Sequence, residues 1–90
     1  MHKIRVSLCF YGRVQGVGFR YKLRYLAEKY SVTGWVRNES DGSVAMEVQG
    51  SRGQMDQLIQ KLQTHGRYIR IDHVSEMELP VKEESGFRVK

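Results

Sequence analysis

The sequence is poor in the residues and segments that mark several large classes of protein. Its 90 residues include one cysteine, Cys9, and one proline, Pro80. A single cysteine cannot form an internal disulfide, so we expect the protein to reside in the reducing cytoplasm. No stretch approaches the roughly 18 apolar residues that cross a bilayer. Residues 1–5 also lack the apolar core of a signal peptide. We therefore expect neither a membrane partner nor secretion.

The composition predicts one small globular domain. Hydrophobic residues make up 40% of the chain and charged residues 28%, which argues against disorder. A chain of this length can build one compact core, so we expect a single domain over residues 1–90. His2, His65, His73 and Cys9 are not spaced as metal ligands. The sequence therefore predicts no metal centre and no cofactor.

Positive charge is concentrated in the first third of the chain. Fifteen Lys and Arg against ten Asp and Glu give a net charge of +5. Residues 1–37 hold eight of the cations and one acid, Glu28, whereas residues 38–90 hold seven cations and nine acids. This asymmetry favours an anionic partner for the first third. A solubilising surface charge would give the same total, so charge alone leaves both interpretations open.

The hydrophobic pattern predicts strands and helices in the order β-α-β-β-α-β, with a short extra strand at the end. Residues 4–11 alternate apolar and polar as in a half-buried strand. Residues 19–30 carry one apolar stripe at helical spacing. Residues 32–36 and 44–48 alternate again on either side of Asp41-Gly42, a hairpin signal.

The second half of the pattern predicts another helix and another strand. Ser51 and Gln54 fit a capping box at the start of an amphipathic helix, which we expect to end near Gly66. A strand begins near Ile69, and its apolar phase slips by one residue before Val74, which predicts a bulge.

A short last strand is predicted at Phe87 and Val89, and the whole order indicates an α+β fold. We expect a ferredoxin-like split β-α-β sandwich, with two helices on one face of an antiparallel sheet of four strands plus the short extra strand. Because this arrangement serves RNA binders, metal carriers and enzymes, the fold does not decide the function.

A glycine-rich segment, residues 12–20, joins the first strand to the first helix and reads GRVQGVGFR. Such a turn presents backbone N–H groups and the positive end of a helix dipole in one direction, which suits a phosphoryl group. Arg20 can bind two phosphoryl oxygens through its planar guanidinium. A loop built only for tight packing, with Arg20 as a surface cation, fits the glycine content about equally well.

The loop does not match other common phosphate-binding motifs. No Gly-Lys-Ser/Thr follows it, so it is not a Walker A motif, and Tyr21 occupies the third glycine position of a dinucleotide fingerprint. Cys9 lies too far upstream of Arg20 for a cysteine-phosphatase cradle, and we interpret it as a small strand residue.

A second segment, residues 34–44, spans the predicted hairpin and reads GWVRNESDGSV. It places Asn38 at the end of the second strand. Taken alone, this position favours a turn-stabilising role, because Asn often bonds nearby backbone.

Together the two segments closely resemble the signatures of the acylphosphatase family. The loop matches Gly-x-Val-Gln-Gly-Val-x-Phe-Arg, and the hairpin matches Gly-Trp-Val-x-Asn-x-x-Asp-Gly-x-Val, both without a gap. The resemblance covers essentially the whole chain. It implies a monomer that hydrolyses small-molecule acyl phosphates to carboxylate and inorganic phosphate without a metal. Arg20 would bind the phosphoryl group and Asn38 would position the attacking water. The amides around the loop would complete the cradle at Gln15, Gly16, Val17, Gly18 and Phe19.

Two other functions are compatible with the topology. A single-stranded nucleic-acid-binding module would stack bases on aromatic residues of the central strands. Residues 43–50 contain none, and Glu47, which we expect on the solvent face with Gln49, would repel phosphate. We therefore expect no nucleic-acid partner. A non-catalytic domain that binds carbamoyl phosphate, like the similar segment of metalloenzyme maturation proteins, is the other alternative. The 90 residues carry no attached domain, so a free-standing hydrolase is preferred.

Overall fold

The computed structural model describes residues 2–62 and 66–90, which form five strands and two helices. In chain order these are β1 (Lys3–Arg13), α1 (Phe19–Lys29), β2 (Thr33–Asn38), β3 (Val44–Ser51), α2 (Arg52–Leu62), β4 (Arg70–Leu79) and β5 (Phe87–Val89). The predicted order of elements is confirmed. Neither helix in the described ranges has the length and apolar character needed to cross a membrane.

The five strands lie side by side in the order β4-β1-β3-β2-β5. The first four strands pair antiparallel, and β5 runs parallel to β2 with Trp35 opposite Arg88. The sheet is therefore mixed. Its parallel member arises because the chain leaves the far edge at β4 and crosses to the opposite edge before β5 begins. The four-stranded antiparallel part carries the predicted ferredoxin-like topology.

The core lies between the helices and one face of the sheet. Alternate residues of β1 are buried there against the apolar stripes of both helices. Leu23 of α1 and Leu58 of α2 are fully buried. Phe10 of β1 meets Phe19, the first residue of α1, edge to face, with ring centroids 5.2 Å apart. This aromatic contact fixes the start of α1 beside the end of β1, so the loop that connects them must turn back within a few residues.

Two local predictions, the capping box of α2 and the bulge in β4, are confirmed by the structure. The backbone N–H of Ser51 donates to the side chain of Gln54 at 2.7 Å, and the backbone N–H of Gln54 donates to the Ser51 hydroxyl at 3.2 Å. This is the reciprocal capping box at the start of α2. The bulge lies at Asp72, where the register between β1 and β4 shifts. The predicted helix end near Gly66 falls on residues 63–65, outside the described residues.

The face of the sheet away from the helices is not uniformly exposed, and the expectation that Gln49 lies on a solvent face is wrong. Arg5 is 1% exposed and Gln49 is 4% exposed. The segment between β4 and β5 covers them. Both carboxylate oxygens of Glu84 accept from the Arg5 guanidinium, at 2.8 and 3.2 Å. Gln49 bonds the backbone N–H and carbonyl of Lys82. These contacts hold the crossing segment and so place β5 beside β2.

Candidate functional site

A cavity of about 170 Å³ lies where the loop after β1, the start of α1 and the end of β2 meet. Its lining residues are Val14, Gly16, Gly18, Phe19, Arg20, Tyr21 and Asn38. Five of the seven site residues predicted from the sequence are therefore brought together. Gln15 and Val17 do not line this cavity. Arg20 and Asn38 belong to different elements, and the packing of α1 on β2 brings them to one place.

Glycines set the backbone path at the base of the cavity. Gly16 and Gly18 have φ angles of 73° and 78°, in the left-handed region where a side chain adds strain. Gly18 is the N-cap of α1, and no side chain caps the helix. The first turn also contains no acidic residue. The amides of this turn and the positive end of the helix dipole are therefore available to an anion.

The side chain of Gln15 joins the loop to the hairpin instead of lining the cavity. Its amide nitrogen donates to the backbone carbonyls of Glu39 and Ser43 at 2.7 and 2.9 Å. Both hydrogens of that amide are thus used within the protein. Val17 is half-buried and packs against the core. At these two positions no side-chain hydrogen-bond donor remains for an anion.

Arg20 is held by a backbone oxygen and has no Asp or Glu partner among residues 2–62 and 66–90. One guanidinium nitrogen donates to the backbone carbonyl of Lys90 at 2.8 Å. Lys90 is itself held by its N–H, which donates to the Val36 carbonyl at 2.8 Å as β5 runs along β2. The remaining guanidinium N–H groups are left for a ligand. The sequence carried no signal for this contact, because it joins residues 70 positions apart.

Asn38 does not perform the turn-stabilising role that its position suggests. Its side chain is exposed and makes no hydrogen bond within the described part of the chain. Asp41 stabilises the turn instead: its carboxylate accepts from the Ser43 hydroxyl at 2.6 Å and from the Ser43 backbone N–H at 2.9 Å. These hydrogen bonds hold the pKa of the Asp41 carboxyl below its ordinary value. The Asn38 amide therefore remains available at the cavity.

The charge of the lining suits an anion. Arg20 is the single charged residue among the seven that border the cavity. No three His, Cys, Asp or Glu side chains gather as a metal site in the described ranges, and His65 lies outside them. A cation, a set of backbone amides and an uncommitted carboxamide can together bind a tetrahedral anion and hold a water molecule beside it.

Comparisons with known proteins identify the family of this chain. The family model described as Acylphosphatase matches residues 6–89. An acylphosphatase of Salinibacter ruber is 49% identical over 70 residues, which are 78% of this chain and 74% of that protein. The solved structure of an acylphosphatase from Coxiella burnetii is 33% identical with a TM-score of 0.89, over 98% of this chain and 93% of that one. The acylphosphatase structure from Bacillus subtilis is 26% identical with a TM-score of 0.91, over 97% and 98%.

Proposed function

Because this chain belongs to the acylphosphatase family, we propose that the cavity between Arg20 and Asn38 is where it hydrolyses acyl phosphates to carboxylate and inorganic phosphate. One observation carries this assignment. A guanidinium without an Asp or Glu partner, a carboxamide without a hydrogen bond and an uncapped helix start, all in the described residues, border the same small cavity.

Binding of the phosphoryl group is the role of Arg20 and the loop amides. The guanidinium pairs with two phosphoryl oxygens, while the N–H groups around Gly16, Gly18 and Phe19 surround the others. Since the Lys90 carbonyl accepts one N–H at 2.8 Å, the guanidinium is oriented before the substrate arrives. Charge that develops on the equatorial oxygens is then stabilised without reorganisation of the site.

Asn38 positions the attacking water. Its amide is not a base near neutral pH, so it orients the water by hydrogen bonding and does not deprotonate it. The water oxygen bonds to phosphorus as the bond from phosphorus to the acyl oxygen breaks, and a phosphoryl oxygen accepts the proton. The carboxylate that leaves has an aqueous pKa of about 4–5, so no strong general acid is required.

Other features of the chain support the remaining parts of the proposal: no metal requirement, a monomer, a cytoplasmic location and no nucleic-acid partner. Arg20 and the amides supply the positive charge that a metal would otherwise provide, so we expect metal-independent turnover by a single domain over residues 1–90. A monomer is supported by edge strand β4, where Glu76 and Glu78 oppose edge-to-edge pairing. The lone Cys9 supports a cytoplasmic location. The central strand β3 has no aromatic residue to stack bases, which supports the absence of a nucleic-acid partner.

Steady-state hydrolysis of acetyl phosphate and benzoyl phosphate, with and without a chelator, tests the assignment. Arg20→Gln should lower kcat/KM by about 100-fold or more and weaken inhibition by inorganic phosphate. Asn38→Ala should lower kcat and leave phosphate inhibition nearly intact. Arg24→Gln is the matched control, because Arg24 lies one turn further along α1, pairs with Glu28 and does not border the cavity.

Three results would contradict this proposal. Near-normal kinetics in Arg20→Gln would show that the phosphoryl group does not bind in this cavity. Loss of phosphate inhibition in Asn38→Ala would make Asn38 a binding or folding residue and not the residue that orients water. Loss of activity on chelation would exclude the metal-independent mechanism.

A further inference from the structure

Tyr21 stands at the rim of the cavity and is exposed to solvent. It follows Arg20 in the first turn of α1, lines the cavity and is 61% exposed. The centre of its ring lies 5.9 Å from the guanidinium carbon of Arg20. An exposed aromatic ring therefore stands directly beside the proposed phosphoryl-binding cation, within reach of a ligand held there.

The other lining residues cannot offer apolar surface to a ligand. Val14 and Phe19 are each 1% exposed, since their side chains belong to the core. The two lining glycines have no side chain, and Arg20 and Asn38 are polar. Of the seven residues that border the cavity, Tyr21 alone presents an exposed apolar side chain.

The geometry of an acyl phosphate brings its acyl group close to that ring. The acyl carbon is two bonds from phosphorus, so a phosphoryl group held by Arg20 places the acyl group at the mouth of the cavity. A cavity of about 170 Å³ leaves little room for a bulky acyl group next to the phosphoryl group. Such a group must project outward along the rim.

We infer that Tyr21 is a specificity-determining residue that contacts the acyl group and favours aromatic acyl phosphates over small aliphatic ones. The inference rests on the proposed function of the cavity. An aromatic acyl group stacks on the exposed ring and buries apolar surface on both partners. An acetyl group is too small to cover the ring and gains little from it.

The chain contains a closely matched control for this residue. Tyr25 lies one turn further along the same helix and is 63% exposed, nearly the same as Tyr21. It does not border the cavity. The two tyrosines thus share residue type, helix and exposure, and differ in whether they reach the site.

The test compares kcat/KM for benzoyl phosphate and acetyl phosphate in the wild type, Tyr21→Ala, Tyr21→Phe and Tyr25→Ala. Tyr21→Ala should lower kcat/KM for benzoyl phosphate by about 5- to 10-fold, as expected for loss of one aromatic contact. The value for acetyl phosphate should stay within about twofold. Tyr21→Phe keeps the ring and should retain the preference, and Tyr25→Ala should behave as the wild type. Inhibition by inorganic phosphate should be the same in all four proteins.

Each contrary outcome has a distinct meaning. If Tyr21→Ala leaves benzoyl phosphate hydrolysis unchanged, the inference is wrong while the proposed function stands. If Tyr21→Ala lowers kcat/KM equally for both substrates and weakens phosphate inhibition, Tyr21 acts through Arg20 and not on the acyl group. That result also overturns the inference. A folded wild-type protein that hydrolyses neither substrate would overturn the proposed function and this inference with it.

Discussion

Replacing Gln15 tests whether the phosphate-binding loop depends on the hairpin that carries Asn38. The Gln15 amide donates to the backbone carbonyls of Glu39 and Ser43 at 2.7 and 2.9 Å. Gln15→Ala removes both hydrogen bonds and touches no residue that binds the substrate through its side chain. We expect it to destabilise the protein and to let the loop shift relative to Asn38.

The size of the stability loss depends on the hydrogen bonds that the two carbonyls retain in Gln15→Ala. The Glu39 carbonyl still accepts from the Gly42 N–H at 3.2 Å, and the Ser43 carbonyl still accepts from the Glu39 N–H at 2.9 Å. Neither carbonyl becomes unsatisfied, so the larger penalty for an orphaned group does not apply. Two net hydrogen bonds correspond to about 2 kcal/mol. For a domain of this size the melting temperature should fall by roughly 8–16 °C.

A second substitution at the same position separates hydrogen bonding from side-chain volume. Gln15→Glu keeps the shape but turns acceptor oxygens toward two carbonyls, so it should cost more than Gln15→Ala at pH 7. This environment raises the pKa of the introduced carboxyl above its unfolded value. The folded state then binds the extra proton, and stability relative to the wild type recovers as the pH falls.

The assay combines urea unfolding with steady-state kinetics. Gln15→Ala should also lower kcat/KM by about tenfold or more, because small displacements of a positioning loop are costly. Gln60→Ala, an exposed glutamine on α2, is the control and should change stability by less than about 0.5 kcal/mol. If Gln15→Ala unfolds with the same midpoint as the wild type, the link between loop and hairpin does not contribute to stability, and the reasoning fails.

Two further predictions concern stability, one at the Arg5–Glu84 ion pair and one at two glycines. Partial burial alone would raise the pKa of the Glu84 carboxyl, but hydrogen bonds from Arg5 and Thr33 and the positive charge of Arg5 lower it below the ordinary value. Glu84 therefore stabilises the protein at neutral pH, and this contribution is lost as the pH falls below about 4.3. Glu84→Gln should cost about 2 kcal/mol at pH 7. The difference from the wild type should narrow at pH 3 in urea unfolding; an equal difference at both pH values would contradict the ion pair. Gly18→Ala should destabilise by about 1–2 kcal/mol, since its φ of 78° is left-handed, whereas Gly53→Ala inside α2 should stabilise by about 0.5–1 kcal/mol. Thermal melts that moved both variants in the same direction would refute this explanation.

The local pattern was sufficient for most of the architecture. Alternation of apolar residues located β1, β2 and β3, and the Ser51–Gln54 pair marked the start of α2 where the capping box is found. The phase slip before Val74 located the bulge at Asp72. These features could be predicted because each depends on residues only a few positions apart.

Burial on the second face of the sheet could not be predicted in the same way. A period of two says which residues of one strand share a face, and it placed Glu47 and Gln49 together. It does not say what covers that face. The covering segment comes from the other end of the chain, where Glu84 meets Arg5 across 79 positions. Arg5, which is 1% exposed in the structure, therefore could not be distinguished from a surface residue in the sequence.

The sequence by itself determined the elements and, through two motifs, the residues Arg20 and Asn38 as candidates, because short-range periodicity and residue type encode them. Only the tertiary structure decided that Gln15 binds the hairpin and that Asp41, not Asn38, holds the turn. It also decided that Arg20 donates a hydrogen bond to the backbone of Lys90. The last of these joins positions 70 residues apart. Such contacts depend on how the chain crosses the sheet, and that path is set by the packing of the whole core and by no local segment.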